Sequence, residues 1–431
     1  MATPLSPETR SYAERLKTAL SSDYEAIYRE AGGVLAHPFL TPGSEQYDDV
    51  LWDWDSWWSN VALRQILSAK GESHTAKALP YEQGCILNSL SICGLTGYIP
   101  MLINRQTPEE PPEGVPLVNM HKPCLAQHAA FLIRETGGDA EWLREKFMYV
   151  QYFLNNYRTH HRHERTRLYF WQNDVSIGVD NDPCTFARPL QSSGSIYLNC
   201  LMYRELLAAA YIADELGLNE IGNGYRTEAG ALRDAVREYC WDEKDGFYYS
   251  VDLNIGHAYR GKKYFGNYGI HDGYHADWPC LIQRIGVWSG FLAMWAGIAT
   301  PKQAERMVRE NLLDERTFNA PFGVRTLSKL EKMYNVGAMG NPSSWLGPIW
   351  GISNYMTFSG LVKYGFEAEA AELADKTIGL FGRDIERFGA LHEYYEPESG
   401  EPVLNRGFQN WNYLVLNMIA WREGGSPVAE F

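Results

Sequence analysis

The sequence predicts an all-α fold, an (α/α)6 barrel (toroid) with short β-hairpins in the loops of its active face. Apolar residues recur at the i, i+3, i+4 and i+7 spacing of amphipathic helices along most of the 431 residues. Short and long connections alternate between these segments, and the long ones hold clusters of Trp, Asp, Asn and Gly. Consecutive antiparallel helix pairs whose long loops gather at one end would close into such a barrel. The loop end would then be the active face.

The helical periodicity defines eleven predicted segments. They span residues 7–30, 60–68, 124–135, 140–157, 195–216, 224–239, 287–298, 301–313, 353–364, 367–381 and 408–422. Ser6, Asp139 and Thr300 stand where N-caps are expected, and Thr300 is followed by Pro and then by Gln303, the pattern of a capping box. Two strand-like runs, 247–251 and 391–395, predict the small hairpins.

Composition indicates a compact globular chain. The sequence is 45% hydrophobic and 21% charged, so it can bury a large core, and it contains no low-complexity segment. No linker rich in Pro, Gly and Ser divides it. Residues 1–431 are therefore predicted to form one catalytic domain.

Charge and cysteine content limit the partners and the location. A net charge of −14 argues against binding to nucleic acid or to an anionic membrane. Neither a signal sequence nor an apolar stretch of about 18 residues is found, which predicts a cytoplasmic protein. Seven cysteines without a CxxC pair indicate reduced, buried thiols. We expect no metal and no cofactor, and a homo-oligomer is compatible with the sequence.

Two carboxylates stand in unusual surroundings. Asp180 lies in the segment GVDND at 178–182, and Glu393 begins EYYEPESGE. Hydrolysis of a glycosidic bond needs one carboxyl group to protonate the leaving oxygen and a second to activate water or attack the sugar. The competing interpretation is that both carboxylates cap helices or accept loop N–H groups. Spacing alone does not choose Asp180 over Asp174 or Asp182, and the spacing of a calcium-binding EF-hand is absent.

Aromatic residues are numerous, with 14 Trp and 27 Tyr. Rings with a polar edge suit sugar binding, although each Trp could equally be a core residue. The segment LWDWDSWW at 51–58 packs four Trp and two Asp just before a predicted helix, where Asp55 or Ser56 could instead be an N-cap. The candidate substrate-binding residues are Trp54, Asp55, Trp57, Trp171, Asn181, Trp345, Gln409 and Trp411.

The sequence indicates neither a metal site in its histidine-rich segment nor one of the common nucleotide-binding or serine-hydrolase motifs. His160, His161 and His163 resemble a metal-ligand set, but a solvated helix C-terminus explains them better. The sequence contains no GxGxxG motif opening a βαβ unit, no GxxxxGK[ST] and no GxSxG.

The motifs taken in order, WDWDSWW, GVDND, WLGPIWGISNY, HEYYEPESGE and GFQNWN, resemble those of the (α/α)6 glycosidases of the trehalase and glycoside hydrolase family 63 group, in its compact bacterial type. The resemblance covers about residues 47 to 422. It implies an inverting exo-α-glycosidase acting on a short α-glucoside or disaccharide, with Asp180 as general acid and Glu393 as general base. The sequence departs from the family in the segment NMHKPCL (119–125), where SQPP is frequent, at Ile177, and at Asp182, where Ser is common.

Other functions are compatible with the same fold. One alternative is a hydrolase of mannosylglycerate or glucosylglycerate, which would need a cation such as Arg105, Lys122 or Arg188 for the glycerate carboxylate. A sugar epimerase or isomerase with histidine bases, or a hydrolase of unsaturated uronides, is a second alternative. Apart from His392, however, the histidines lie mostly outside the Trp-rich segments. A non-catalytic sugar-binding protein is a third.

Overall fold

The computed structural model describes residues 4–44, 46–108, 120–175, 177–186, 188–255, 278–337 and 343–431. Within them the α-helices are α1 Pro7–Ser22, α2 Asp53–Leu67, α3 Glu72–Ile92, α4 Leu125–Glu135, α5 Phe147–His160, α6 Ile196–Glu215, α7 Asn219–Tyr239, α8 Leu292–Trp295, α9 Pro301–Arg306, α10 Gly351–Lys363, α11 Glu367–Phe388 and α12 Val415–Arg422. Short 3₁₀ or π segments adjoin several of them, at Tyr24–Ile27, Glu141–Lys146, Trp288–Phe291, Met307–Leu312 and Asn410–Leu414.

The even-numbered helices from α2 to α12 form a closed cycle, in which each contacts the next even-numbered helix. Helix α2 contacts α4, α4 contacts α6, α6 contacts α8, α8 contacts α10, α10 contacts α12, and α12 returns to α2. The other long helices pack beside members of this cycle: α3 lies against α2 and α4, α7 against α6, and α11 against α10 and α12. Residues near both ends of the chain are thereby neighbours.

The predicted helices are confirmed in most places, with different boundaries. The first one ends at Ser22 and not at residue 30, because a 3₁₀ turn and a strand follow. The Trp-rich segment does not precede a helix as predicted. It forms the first turns of α2, which begins at Asp53. All but one of the 15 residues of α2 are buried, so an apolar stripe is not detectable in this segment.

Helix α3 was missed by the sequence analysis. It contains Pro80 and Gly84, which are poor helix formers. Its buried face also carries polar side chains, since Glu82 forms a buried ion pair with Arg64 at 2.5 Å. Apolar periodicity is therefore weak where the tertiary structure buries a charge.

The strands are all two residues long and lie in the connections. They are β1 Tyr28–Arg29, β2 Phe39–Leu40, β3 Leu51–Trp52, β4 Leu102–Ile103, β5 Ser193–Gly194, β6 Trp241–Asp242, β7 Phe247–Tyr248, β8 Val251–Asp252, β9 Leu281–Ile282, β10 Asn319–Ala320, β11 Gly323–Val324, β12 Ile349–Trp350 and β13 Tyr394–Tyr395. The predicted run at 391–395 gives β13, whose partner is β12 in antiparallel register. This pairing joins the segment after Trp345 to the segment of Glu393.

Local capping follows the sequence. The Ser6 hydroxyl accepts a hydrogen bond from the Thr9 N–H at 3.0 Å. The Thr300 hydroxyl accepts from the Gln303 N–H at 3.3 Å, and the Gln303 side chain accepts from the Thr300 N–H at 2.8 Å. These bonds satisfy N–H groups that a helix start leaves unpaired, which confirms the predicted N-caps there.

The seven cysteines are free, six of them buried, which confirms the predicted thiols. Among the described helices, none is long and apolar enough to cross a membrane.

A close contact at Gly84 provides a test of the fold. A Cβ at Gly84 would overlap the carbonyl oxygen of Pro38 and lie 2.9 Å from its carbonyl carbon, whereas a Cβ at Gly230 in α7 would meet nothing within 4 Å. We expect Gly84→Ala to destabilise the protein by about 1–3 kcal/mol or more through overpacking. Gly230→Ala should stabilise it by about 0.5–1 kcal/mol, because Ala is the better helix former.

Thermal and denaturant unfolding of both variants would measure these changes. Equal effects of the two substitutions would contradict the packing of α3 against the segment before β2.

Candidate active site

Asp55 lies on the first turn of α2 and faces a segment from the end of the chain. It is buried, and its Oδ1 accepts a hydrogen bond from the Asn410 side-chain amide at 2.6 Å. The Asn410 side-chain oxygen in turn accepts from the Ser59 hydroxyl at 3.2 Å, one turn further along α2. The carboxylate is thus held by a donor that is distant in sequence.

Glu393 immediately precedes β13 and is 3% exposed. Its Oε1 accepts from the Tyr47 hydroxyl at 3.1 Å, and its Oε2 accepts from the Asn405 side-chain amide. Burial raises the pKa of Glu393 to about 7, against the opposing effect of the two hydrogen bonds, and the nearby charge of Asp180 raises it further. A carboxylate with its pKa near neutral is suited to act as a general base.

The negative charges of three carboxylates act on the Tyr47 hydroxyl. Burial raises its pKa, and the negative charges of Glu393, Asp55 and Asp180 add to that effect. Tyr47 is therefore a hydrogen-bond donor at neutral pH. The structure thus brings the two predicted catalytic residues, Asp180 and Glu393, into electrostatic range of one another and of Asp55.

Burial also raises the pKa of Asp55 to about 7. Asp53, two residues earlier, and Glu393 raise it further, while Lys122 and the Asn410 amide lower it. The site thus concentrates negative charge in an environment with little water, and Lys122 supplies a compensating positive charge.

Asp180 lies on a tight loop of left-handed backbone conformations. Gly178 has φ of +67° and Asn181 has φ of +55°, a region open to Gly and tolerated by Asn. The Asn181 side-chain oxygen accepts from the Trp345 N–H at 3.0 Å, which ties the loop to the aromatic segment beyond residue 342. Asp180 is half-buried.

Asp182 is turned into its own loop. It is buried and accepts from the Cys184 N–H at 3.1 Å and the Thr185 hydroxyl at 3.4 Å. Burial raises its pKa to about 6. It also lines a small pocket together with Tyr197, Trp345 and other residues, so it is the natural comparison for Asp180.

Aromatic rings form a cluster that includes Trp54, the residue before Asp55 on α2. The Trp54 ring centroid lies 5.0 Å from that of Trp411, 5.9 Å from Tyr197 and 6.3 Å from Trp345. Trp171 joins the group through Tyr197, at 6.1 Å. Four of the predicted aromatic residues are thus brought together in one cluster of rings.

Two other predicted binding residues lie apart from this group. Trp57 is fully buried and packs with Trp58 and Trp295 at 4.2 and 6.4 Å between ring centroids. The Gln409 amide donates to Asp23 at 3.1 Å. Their proposed contacts with a sugar stay predictions.

Three residues that hold the carboxylates were not selected as site residues from the sequence: Tyr47, Asn405 and Asn410. Both asparagines have positive φ, of +46° and +37°. Residues held in such conformations often lie at functional sites. In the sequence, Asn410 stands in the GFQNWN motif, whereas Tyr47 and Asn405 carry no signal.

The three cations considered for a glycerate group are each paired with a carboxylate. Arg105 binds Asp49 at 2.7 Å, and Arg188 binds Asp252 at 2.6 Å. Lys122 is also paired, with Asp53 at 2.9 Å, and is almost completely buried.

The histidine segment differs from the expectation of a solvated helix end. His160 ends α5, but His161 is buried between the rings of Tyr157 and Phe170. In the described part of the chain, no three His, Cys, Asp or Glu side chains are grouped to hold a metal ion.

Comparisons with known proteins show relatives among the glycoside hydrolases. The sequence profile described as "Mannosylglycerate hydrolase MGH1-like glycoside hydrolase domain" matches residues 48–412. A probable mannosyl-oligosaccharide glucosidase of Schizosaccharomyces pombe is 22% identical over 83% of this chain and 39% of its own length. The mannosylglycerate hydrolase of Thermus thermophilus is 26% identical over 51% of this chain and 42% of its own length. The chain spans about two fifths of these relatives.

Solved structures show the same fold. The crystal structure of the GH63 mannosylglycerate hydrolase from Thermus thermophilus in complex with glucose has a TM-score of 0.64 and 18% sequence identity. The similarity covers 95% of this chain and 99% of that one. Since the family profile matches well over half of the residues, the chain belongs to the family of mannosylglycerate hydrolase MGH1-like glycoside hydrolase domains.

Proposed function

We propose that the protein is an inverting exo-α-glycosidase that acts on a short α-glucoside or disaccharide, with Asp180 as general acid and Glu393 as general base. The observation that carries this proposal is the buried Glu393 carboxylate, which accepts a hydrogen bond from the Tyr47 hydroxyl, with the charges of Asp55 and Asp180 near enough to raise the pKa of Tyr47. Glycosidases use two carboxyl groups whose different surroundings give them different pKa values.

We infer that the fold is a single-domain (α/α)6 barrel. The closed cycle of contacts through α2, α4, α6, α8, α10 and α12 supports this, as does the similarity to the Thermus structure. The loops before α2, before α6 and around β12 and β13 contribute the site residues, as expected if one end of the barrel is the active face.

The chemistry follows from the differing surroundings of the two groups. Glu393 is held by Tyr47 and Asn405 and is ionised above about pH 7, so it can remove a proton from water. Asp180 is half-buried on its loop and would deliver a proton to the leaving oxygen. Asp55 would accept hydroxyl protons of the bound sugar, whose apolar face would lie against Trp54 or Trp411.

Hydrolysis of mannosylglycerate or glucosylglycerate is the second candidate function. The family profile and the Thermus relative favour it. The ion pairs of Arg105, Arg188 and Lys122 count against it, because a carboxylate already offsets the positive charge of each of these three cations.

A small carbohydrate is the partner that this proposal requires. The cytoplasmic location stays a prediction, supported by seven free cysteines, which suit a reducing compartment.

The function would be tested with a panel of glycosides followed by NMR. The panel would contain α-linked glucose disaccharides, mannosylglycerate and glucosylglycerate. We expect turnover of an α-glucoside with β-glucose as the first product, since water attacks from the face opposite the leaving group. Initial release of the α-anomer would contradict inversion. Exclusive turnover of the glycerates would replace the proposed substrate with the second candidate.

Asp180→Asn should separate substrates by their leaving groups. We expect a loss of about 10²–10⁴-fold in kcat for a disaccharide and a much smaller loss for α-glucosyl fluoride, because fluoride departs without a proton. Asp182→Asn is the matched control from the same loop. If the control reproduces this selectivity and Asp180→Asn does not, the acid is Asp182.

Glu393 should determine the acid limb of the pH profile. With a pKa of about 7 the base becomes protonated below that pH, so kcat/KM should fall about tenfold per pH unit there. Because Glu393 also raises the pKa of Asp55, the apparent value belongs to the pair. Glu393→Gln should abolish turnover while substrate binding, measured by calorimetry, persists.

The same variant should gain stability. The folded pKa of Glu393 lies above its ordinary value, so the stability that its neutral form contributes is complete in acid and is lost as pH rises through about 7. Glu393→Gln should therefore raise Tm at pH 8. Glu401→Gln, at a solvated carboxylate, is the control and should change neither activity nor its pH profile. An active Glu393→Gln enzyme would remove Glu393 from the mechanism.

A further inference from the structure

Lys122 occupies a position that the proposed chemistry does not use. Its side chain is 1% exposed, and its ammonium lies 2.9 and 3.0 Å from the two carboxylate oxygens of Asp53. It also lies 5.4 Å from the centroid of the Trp54 ring. A buried ion pair contributes little net stability, because removing both charges from water offsets their attraction. Net stability alone therefore does not explain why Lys122 is buried next to Trp54.

Asp53 connects the Lys122 segment to the start of α2. Asp53 Oδ1 accepts the Trp54 N–H at 2.7 Å, and Oδ2 accepts the Lys122 N–H at 2.8 Å. With the two bonds from the ammonium, the carboxylate accepts four hydrogen bonds from three donor groups and has little freedom to rotate. The direction of the first turn of α2, which carries Trp54 and Asp55, is fixed accordingly.

The other side of the ammonium supports the loop of the proposed acid. A Cβ at Gly178 would lie 2.6 Å from Lys122 Cε and 2.8 Å from Nζ, so the loop backbone rests directly on the end of the lysine side chain. Gly178 also has φ of +67°, which favours glycine. Only a residue without a side chain can approach the ammonium in this way. Asp180 follows two residues later.

We propose that Lys122 is a positioning residue that holds the Gly178–Asp182 loop and the start of α2 at a fixed distance from each other. One rigid side chain then sets the position of Asp180 relative to Asp55 and Trp54, the residues proposed to bind the sugar. This role deepens the proposed function and depends on it for its activity readout. The effect of Lys122 on the position of the loop does not depend on the proposed function, because it is measurable in the protein without substrate.

The test compares Lys122→Met with the double variant Asp53→Asn/Lys122→Met. The single substitution leaves Asp53 buried without its cation, so its Tm should fall. The double variant removes both charges, and its Tm should recover most of that loss. Hydrogen exchange would be followed at the hydrogen-bonded amides of Asp182, Thr185 and Phe186, together with kcat/KM for the best disaccharide.

We expect the recovered double variant to remain impaired at the site. Its loop amides should exchange at least about tenfold faster than in the wild type, because their support is gone. Its kcat/KM should stay about 10–100-fold low, since small displacements of catalytic groups cost that much. Wild-type exchange or wild-type kcat/KM in the double variant would overturn the proposal and leave only a neutralised core pair. If the wild-type protein hydrolyses no glycoside, the proposed function fails, and the exchange rates alone decide the role of Lys122.

Discussion

Carboxylates removed from water need donors, and in this protein the donors come from distant parts of the chain. Glu393 is held by Tyr47, which is 346 residues away in sequence, and Asp55 is held by Asn410, which is 355 residues away. Each hydrogen bond stabilises the charged form against burial, so each keeps a buried group able to ionise near neutral pH. The closed cycle of helices makes these bonds possible, because it places α12 and its preceding turn against α2.

The aromatic residues around α2 form two neighbouring groups of buried rings. Trp57, Trp58 and Trp295 pack in the core, where they are fully buried. Trp54 and Trp411, which are also buried, are the sequence neighbours of Asp55 and Asn410, whose side chains are hydrogen-bonded to each other. Residues three apart on α2, such as Trp54 and Trp57, take part in these two groups although they share one helix face.

The positions of the site loops depend on backbone conformation as well as on side-chain hydrogen bonds. Asn181, Asn405 and Asn410 all adopt positive φ, and each uses its side-chain amide to bind a partner across the site. A residue of this type combines a tight bend with a polar group at the bend. The loops are thereby fixed by hydrogen bonds rather than by regular secondary structure, which agrees with strands of only two residues.

The sequence by itself determined the features that depend on neighbouring residues. The N-caps at Ser6 and Thr300, most of the helices, the free thiols and the motifs around Asp180 and Glu393 could all be predicted from local patterns. Only the tertiary structure decided the rest. Helix α3 escaped prediction because Glu82 is buried against Arg64, which weakens the apolar periodicity. The start of α2 was predicted too late because nearly all its residues are buried, so that no apolar stripe marks where the helix begins.

The partners of the carboxylates also depended on the tertiary structure. Tyr47 and Asn405 carry no local signal, since their role arises when the closed cycle of helices brings remote loops together. The pairing of Asp53 with Lys122 joins residues that are 69 positions apart, and a periodicity of 3.6 residues carries no information over such a separation. Helix periodicity determines which face of a segment is buried, and tertiary contacts determine what that face meets.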